Sequence, residues 1–369
     1  MLFNVIQSKL QQGIQFVQKA VSVRNTMPIL TGIYLEAVKD KGLHLIANDL
    51  EIGIEYWVEA DIINEGALVL PASQFTNIIR ELPDAEIKAE GDLEHFQLKI
   101  NCLNSEFTLK GYQADEFPQL PAIKTVYNLN LTAADFKDMI DEVKFSTSTD
   151  QTQPALTGGL LYIDAEGINL VTTNTYRLAY RKFPRENIIE ENISVILPGK
   201  TLNELSHLIQ EEGEIEIFIS ENYVLFKFSG ITLISRLIEG GFPNYRQVIP
   251  DQCNSEIKVD RNELLKAVKR VSLIASLDSN VISIMVKEDQ IQINSGESDY
   301  GNAHESLEIE LKGSEQKIDI DASYLIDVLR VLSQDIIRIE LIGPLYPMTV
   351  KKEDSDDYIY LIMPIRPGA

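Results

Sequence analysis

One sequence pattern occurs three times along the 369 residues, and it constrains the fold more than any other feature. In each copy a short amphipathic segment follows a strand-like run, and the three segments begin at Ala72, Gly199 and Asp321. Two further markers recur, Leu30-Thr31-Gly32 as Leu156-Thr157-Gly158 and Phe117-Pro118 as Phe242-Pro243. The copies lie about 125 residues apart, far beyond a solenoid period, so the pattern predicts three whole domains of one fold.

Each copy shows the same order of secondary-structure signals. A strand is followed by a long amphipathic helix, alternating strands, a short helix and further strands. This order gives two helices and roughly eight strands per domain with hairpin-length connections, so mainly antiparallel sheets are expected. The predicted fold class is α+β, in three tandem two-helix domains over residues 1–125, 126–253 and 254–369.

The long helix of each copy carries apolar residues at helical spacing. In the second copy, Thr132 and Asp135 also have the spacing of a capping box, which marks a helix start. The three stripes are Ile6, Leu10, Ile14, Val17 and Val21; Phe136, Met139, Ile140 and Val143; and Leu264, Leu265, Val268 and Val271. These residues are predicted to pack the helices against the sheets.

Charge is distributed unevenly along the chain. There are 33 Lys and Arg against 56 Asp and Glu, and a net charge of −23 repels nucleic acid on average. Two predicted helical segments oppose this excess: residues 8–24 carry Lys9, Lys19 and Arg24 without an acid, and residues 261–275 carry four basic residues against Glu263. A solvated helix face would explain either segment alone.

The sequence contains no recognisable catalytic constellation. It lacks a phosphate-binding glycine loop and a dinucleotide-type fingerprint, and none of its four histidines has metal-ligand spacing to another His or Cys. Cys102 and Cys253 lie in different copies, which argues against a disulfide framework and suits a reducing compartment. These features predict a cytoplasmic protein that is not an enzyme and has no cofactor, metal or membrane span.

Four segments, taken in order, point to one family. They are Met27-Pro28-Ile29-Leu30-Thr31-Gly32, the run from Thr173 to Ala179, the run from Arg236 to Tyr245, and Met363-Pro364-Ile365-Arg366. Together with the threefold repeat, they resemble the bacterial DNA polymerase III beta subunits, the sliding clamps, over the whole chain. The resemblance implies a head-to-tail homodimer whose six domains form a ring around duplex DNA, with helices lining the hole. It also implies partners that bind through short linear peptides: the replicative polymerase, the clamp loader and repair proteins.

The resemblance assigns three sets of residues. The residues expected to face DNA are Arg24, Arg80, Lys200 and Lys266, with Lys9 and Lys269. The residues expected at the dimer interface are Phe107 on one side and Leu273 and Ile274 on the other. The partner-peptide pocket is expected to comprise Leu156, Thr173, Thr175, Tyr176, Arg177, Leu178, Pro243, Val248, Tyr324, Leu345, Pro347, Leu361, Met363, Pro364, Ile365 and Arg366. Arg177 and Arg366 are expected near polar or carboxylate groups of the peptide or of the rim.

The sequence departs from the family pattern in two places. Members usually carry Asp-Gly-His or Asp-Ser-His between the Thr and the Arg of the second motif, where this chain has Asn174-Thr175-Tyr176. Most members also end at or just after the final Arg, whereas Pro367-Gly368-Ala369 extends this chain. Both changes touch the expected peptide pocket.

Two other functions compete with a clamp. An acidic three-domain enzyme with a site between domains would normally give one copy a distinctive titratable cluster, and none is visible. A protein-interaction scaffold that does not contact DNA would leave the two cationic segments without a role.

Overall fold

The computed structural model describes residues 1–22, 27–185, 191–297 and 299–366. The first copy contains β1 Leu2–Ile6, α1 Gln7–Val17, β2 Gly32–Val38, β3 Gly42–Asn48, β4 Ile52–Val58, β5 Asp61–Asn64, β6 Gly66–Pro71, α2 Ala72–Glu81, β7 Glu86–Asp92, β8 Gln97–Cys102, β9 Ser105–Lys110 and β10 Tyr112–Gln113. The second contains β11 Tyr127–Thr132, α3 Ala133–Val143, β12 Gly158–Asp164, β13 Gly167–Thr173, β14 Arg177–Pro184, β15 Ile193–Pro198, α4 Gly199–Leu208, β16 Glu214–Ile219, β17 Tyr223–Phe228 and β18 Ile231–Arg236. The third contains β19 Ser255–Asp260, α5 Arg261–Ala275, β20 Val281–Val286, β21 Gln290–Asn294, β22 His304–Glu308, β23 Glu310–Gly313, β24 Gln316–Asp321, α6 Ala322–Val331, β25 Ile336–Leu341, β26 Met348–Lys352 and β27 Ser355–Ile362.

The order of elements confirms the predicted α+β fold class. Each copy has two α-helices, of 11 and 10 residues in the first and second copies and of 15 and 10 residues in the third, and each helix follows directly on a strand. The paired strands run antiparallel in all four sheets of the described residues, as hairpin-length connections predict.

The described residues form two compact units. The first comprises residues 1–136 and 204–237. It holds a five-stranded sheet, β5-β1-β7-β8-β9, and a nine-stranded sheet, β10-β6-β2-β3-β4-β18-β17-β16-β11. The pairing of β4 with β18 joins strands of the first and second copies into one continuous sheet.

Helix α1 packs closely on the nine-stranded sheet of the first unit. Leu10, Ile14 and Val17 are buried as predicted. A Cβ added at Gly13 would lie 2.5 Å from Cγ2 of Val58, so the absence of a side chain at Gly13 permits this approach.

The first helix is shorter than predicted. It ends at Val17 and is followed by a 3-10 turn over Gln18–Ala20, so the predicted helix over residues 8–24 is wrong from residue 18 to residue 22, and residues 23 and 24 lie outside the described residues. Ile6 and Val21 were predicted to belong to the buried stripe of this helix, and both predictions are wrong. Ile6 belongs to β1 and is 40% exposed, and the backbone of Val21 is extended. The NH of Ser22 donates to the carbonyl of Leu30, which turns the chain away from the helix axis.

The second unit comprises residues 137–203 and 238–369, described up to residue 366. It holds a nine-stranded sheet, β15-β12-β13-β14-β27-β26-β25-β19-β23, and a four-stranded sheet, β22-β21-β20-β24. The pairing of β14 with β27 joins the second and third copies and sets Leu178 opposite Leu361.

The sequence signals for α3 and α5 are confirmed, except that Leu265 of the predicted α5 stripe is only half-buried. At α3 the Thr132 hydroxyl accepts from the Asp135 NH, which is the first of the two bonds of a capping box, and it donates to the Asp135 carboxylate. The stripe of Phe136, Met139, Ile140 and Val143 is fully buried. Helix α5 spans the predicted residues, and Asp260 caps it by accepting from the NH of Glu263 at 2.8 Å.

Candidate functional site

An apolar cleft of about 150 Å³ lies in the second unit, where the β13–β14 turn meets the end of β27. The loop after β18 forms its opposite wall. The cleft is lined by Thr173, Thr175, Arg177, Leu178, Pro243, Asn244, Tyr245, Val248, Leu361 and Met363. Eight of these were predicted from the sequence, and they come from three distant segments.

The floor of the cleft belongs to the hydrophobic core. Leu178 and Leu361 face each other across the β14–β27 pair and are almost fully buried. They pack in one cluster with Tyr245. A floor fixed by core packing cannot move easily, so the shape of the cleft depends on its walls.

The β13–β14 turn is held by side-chain hydrogen bonds. The Asn174 carboxamide oxygen accepts from the NH groups of Tyr176 and Arg177 at 3.1 and 3.0 Å. The Thr173 hydroxyl donates to the Arg177 carbonyl at 2.7 Å and accepts from the Thr175 NH at 3.2 Å. Asn and Thr side chains suit such turns because they can replace backbone partners.

The chain's last described segment is attached to this turn. The NH of Met363 donates to the carbonyl of Tyr176 at 2.8 Å, and the NH of Ile365 donates to the carbonyl of Asp319 at 2.8 Å. Met363 is 38% exposed and lines the cleft, so a flexible apolar side chain stands at its edge.

The guanidinium of Arg177, expected near polar or carboxylate groups of the peptide or of the rim, is bound to groups of the protein itself. One nitrogen donates to Asp327 Oδ2 at 2.6 Å, and another donates to the Phe145 carbonyl at 2.5 Å. The guanidinium carbon also lies 4.7 Å from the centre of the Tyr324 ring. Arg177 therefore lines the cleft and also crosslinks the β13–β14 turn to α6.

Stacked aromatic rings hold the loop wall in place. The ring of Tyr245 stacks on Tyr180 with centroids 5.9 Å apart, and the Arg246 guanidinium lies 4.8 and 5.1 Å from the rings of Tyr162 and Tyr245. Desolvation by burial raises the pKa of both Tyr180 and Tyr245 to about 12, so both phenols are neutral at physiological pH. Tyr245 and Asn244 were missed as lining residues, although the Phe242-Pro243-Asn244-Tyr245 motif contained the signal.

The other predicted pocket residues do not line this cleft. They are Leu156, Tyr176, Tyr324, Leu345, Pro347, Pro364, Ile365 and Arg366. Leu156 is buried in a 3-10 turn, and the Tyr324 ring is covered by Arg177, whereas Tyr176 and Leu345 are 63% and 60% exposed. Exposed side chains at the rim remain available to a ligand that extends beyond the cleft. The tail residues Pro367, Gly368 and Ala369 lie outside the described residues.

The residues predicted to face DNA lie on several helices. Lys9 on α1 pairs with Glu59 at 2.5 Å, Arg80 on α2 contacts Asn77 and Glu81, and Lys266 on α5 pairs with Glu263 at 2.8 Å. These pairs are solvent-exposed and therefore weak, so a phosphate can replace the carboxylates.

The remaining predicted DNA contacts have mixed surroundings. Lys200 is half-buried on α4, and Lys269 is exposed on α5. Arg24 lies outside the described residues. Of the other basic residues of α5, Arg270 forms two hydrogen bonds to Glu305 and Arg261 donates to the Gln334 and Leu329 carbonyls, so these two are already engaged within the chain.

The predicted interface residues are available on the surface. Phe107 on β9 is 41% exposed and Leu273 on α5 is 69% exposed, while Ile274 is half-buried. Leu277, which follows α5 four residues after Leu273, is 53% exposed. Strands β9 and β22 each stand at the edge of a sheet, where one side of the strand has no described partner strand.

Within the described ranges, no group of three or more His, Cys, Asp or Glu residues could hold a metal ion. Cys102 is buried and Cys253 exposed, and both are free thiols. None of the helices described is long and apolar enough to cross a bilayer.

Comparison with known proteins accounts for the chain from end to end. Residues 1–121, 130–244 and 246–366 match the N-terminal, central and C-terminal domains of the DNA polymerase III beta subunit. The beta sliding clamp of Staphylococcus aureus is 34% identical over 359 residues, covering 94% of both chains.

Solved structures agree with this match. The DNA polymerase sliding clamp of Bacillus subtilis is 31% identical, with a TM-score of 0.94 over 99% of each chain. The beta subunit of DNA polymerase from Streptococcus pyogenes is 28% identical, with a TM-score of 0.94 over 99% of this chain and 100% of that one. The chain thus has three tandem clamp domains and belongs to the DNA polymerase III beta subunit family, the beta sliding clamps.

Proposed function

We propose that the protein is a DNA sliding clamp: a ring-shaped homodimer that encircles duplex DNA and holds the replicative polymerase on it. The observation that carries this proposal is the full-length match, in order, to the three beta-subunit domains. The protein acts without catalysing a reaction, as a cytoplasmic processivity subunit. The proposed domain limits are residues 1–125, 126–253 and 254–369, and the three matched ranges support them.

The proposed dimer is head-to-tail, with β9 of one protomer against β22 and α5 of the next. Each of these strands ends a sheet and can accept a further antiparallel strand. Exposed Phe107 on β9 and exposed Leu273 on α5 provide apolar surface beside the two edges. Because the two surfaces differ, the contact is heterologous, and it closes into a ring only if the geometry of two protomers permits.

DNA is proposed to be held by topology more than by affinity. The candidate contacts are Lys and Arg side chains, which bind phosphates without reading sequence. A protein of net charge −23 repels DNA from most of its surface. Direct binding is therefore expected to be weak, independent of sequence and sharply reduced by salt.

The cleft is proposed to bind the short peptides of polymerase, clamp loader and repair proteins. Its floor of Leu178 and Leu361 and its walls of Val248, Pro243 and Met363 suit one or two apolar anchors. A peptide with a glutamine and Leu or Phe anchors fits this chemistry, with its polar groups near the rim. Arg366 is exposed and can meet a polar group of the peptide, whereas Arg177 lines the cleft and is paired with Asp327.

The test of the proposed function is the oligomeric state together with a small-angle scattering envelope. The expected result is a dimer in sedimentation equilibrium, with an envelope that has a central hole wide enough for a duplex. A compact monomer, or a dimer without a hole, would refute the clamp. A dimer with a hole that is not retained on circular DNA would favour a protein scaffold instead.

A further inference from the structure

We propose that Thr175 sets the size of the peptide anchor that the cleft accepts, because its side chain is held in the lining at the expense of backbone strain. This inference rests on the proposed peptide-binding function of the cleft and names a specificity-determining residue within it.

The backbone of Thr175 is in an unfavourable conformation. Its φ is +76°, in the left-handed region that β-branched residues rarely enter because Cβ crowds the backbone. Glycine or asparagine would satisfy the same turn with less strain. Backbone strain of this kind concentrates at functional sites, where surrounding structure enforces it.

Several hydrogen bonds enforce the conformation of the turn. The Thr173 hydroxyl accepts from the Thr175 NH, and the Asn174 carboxamide accepts from the two NH groups that follow Thr175. The carbonyl of Tyr176 accepts from the Met363 NH. None of these bonds uses the Thr175 side chain, so the turn would form with a smaller residue at this position.

What Thr175 supplies is a methyl and a hydroxyl group in the lining of the cleft. The cleft has a volume of about 150 Å³, below the roughly 300–1,000 Å³ of typical ligand pockets. Its floor is fixed by the buried Leu178 and Leu361, and the Tyr245 ring is fixed by stacking. Among the other lining residues, Met363 is unbranched and can move aside, whereas Thr175 stands on a turn fixed by hydrogen bonds. The Thr175 side chain therefore limits whether a Leu-sized or a larger anchor enters.

The test compares Thr175→Gly with a matched control, Ser229→Gly. Ser229 is also a hydroxyl residue at positive φ, +46°, but it lies in the β17–β18 turn of the first unit and does not line the cleft. Calorimetry would measure binding of a synthetic peptide with one glutamine and two Leu anchors, and of versions with each Leu replaced in turn by Trp. Thermal unfolding of each variant would be measured in parallel.

At one anchor position, the unaltered protein is expected to prefer Leu over Trp by about tenfold or more, and Thr175→Gly to reduce this preference to about twofold. Ser229→Gly is expected to leave the preference unchanged. Both substitutions should raise the Tm by about 2 °C, because glycine relieves strain at positive φ.

An unchanged Leu/Trp preference in Thr175→Gly, with peptide binding intact, would overturn the role of Thr175 while leaving the proposed function standing. A lower Tm for Thr175→Gly would overturn the strain argument and with it the inference. If the unaltered protein binds none of the peptides, the proposed peptide-binding function fails and this inference fails with it.

Discussion

Removing the carboxylate of Asp327 is expected to destabilise the second unit by about 2 kcal/mol. The Arg177 side chain is 11% exposed and that of Asp327 32% exposed, and their charged atoms are 2.6 Å apart. Breaking a buried pair costs roughly 3–5 kcal/mol, and breaking an exposed pair less than about 1 kcal/mol. An intermediate value is expected because Arg177 keeps its bond to the Phe145 carbonyl and because water reaches the vacated site.

Two further variants separate the ion pair from other effects of Asp327→Ala. Asp327→Asn keeps an acceptor for Arg177 and should cost about half as much. Glu166→Ala, which removes the partner of Lys182 on the same strand β14, is the matched control, because Glu166 is 78% exposed. Its removal is expected to leave the stability unchanged within the error of the measurement.

The assay must report on the second unit. The single tryptophan, Trp57, lies in the first unit, so its fluorescence would miss the change. Amide hydrogen exchange read out over β14 and α6 measures the local free energy of opening directly. A cost for Asp327→Ala no larger than that of Glu166→Ala would refute the assignment of Arg177 as an internal crosslink.

Three other outcomes are expected. Replacing Leu273 and Ile274 together by Ala should give a folded monomer, and a variant that stays dimeric in sedimentation would show that the interface lies elsewhere. Deleting residues 363–369 should abolish peptide binding in calorimetry and leave the dimer intact, and a deletion of only residues 367–369 serves as the control. Unchanged affinity after the longer deletion would show that the peptide does not bind in this cleft. Burial raises the pKa of Tyr180 and Tyr245 from 10.0 to about 12, so the stability that the two phenols contribute is complete below about pH 10 and is lost as pH rises toward about 12. Across this range, the urea midpoint of a variant with Phe at both positions should fall less than that of the unaltered protein. An equal fall in the two proteins would contradict the assigned burial effect.

The sequence predicted the fold well because its signals were local and repeated. The cap at Thr132 and Asp135 and the buried stripe of α3 are short-range patterns. The structure shows the Asp135 NH bonded to the Thr132 hydroxyl, and it shows the stripe buried. The predicted end of the first helix was wrong because the apolar residue Val21 continues the helical spacing beyond the point where the helix ends. The spacing of apolar residues does not show where a helix ends and the chain turns to contact another segment.

The candidate cleft was predicted in part, for a related reason. Leu178 and Leu361 could be placed together through the family resemblance, and the structure sets them opposite each other in paired strands. The pairing of Arg177 with Asp327 joins residues 150 positions apart, and no local pattern encodes it. A buried arginine and an exposed one have the same appearance in a sequence, so its role required coordinates.

Retention on DNA before and after linearisation tests the central claim most directly. The protein would be loaded by a clamp loader onto nicked circular plasmid and separated from free protein by gel filtration. Half of the sample would then be cut once with a restriction enzyme. If the protein is a closed ring around the duplex, it should remain on the circle for many minutes at high salt and leave the linear DNA rapidly. Equal retention on circular and linear DNA would contradict topological linkage and the clamp function proposed for this protein.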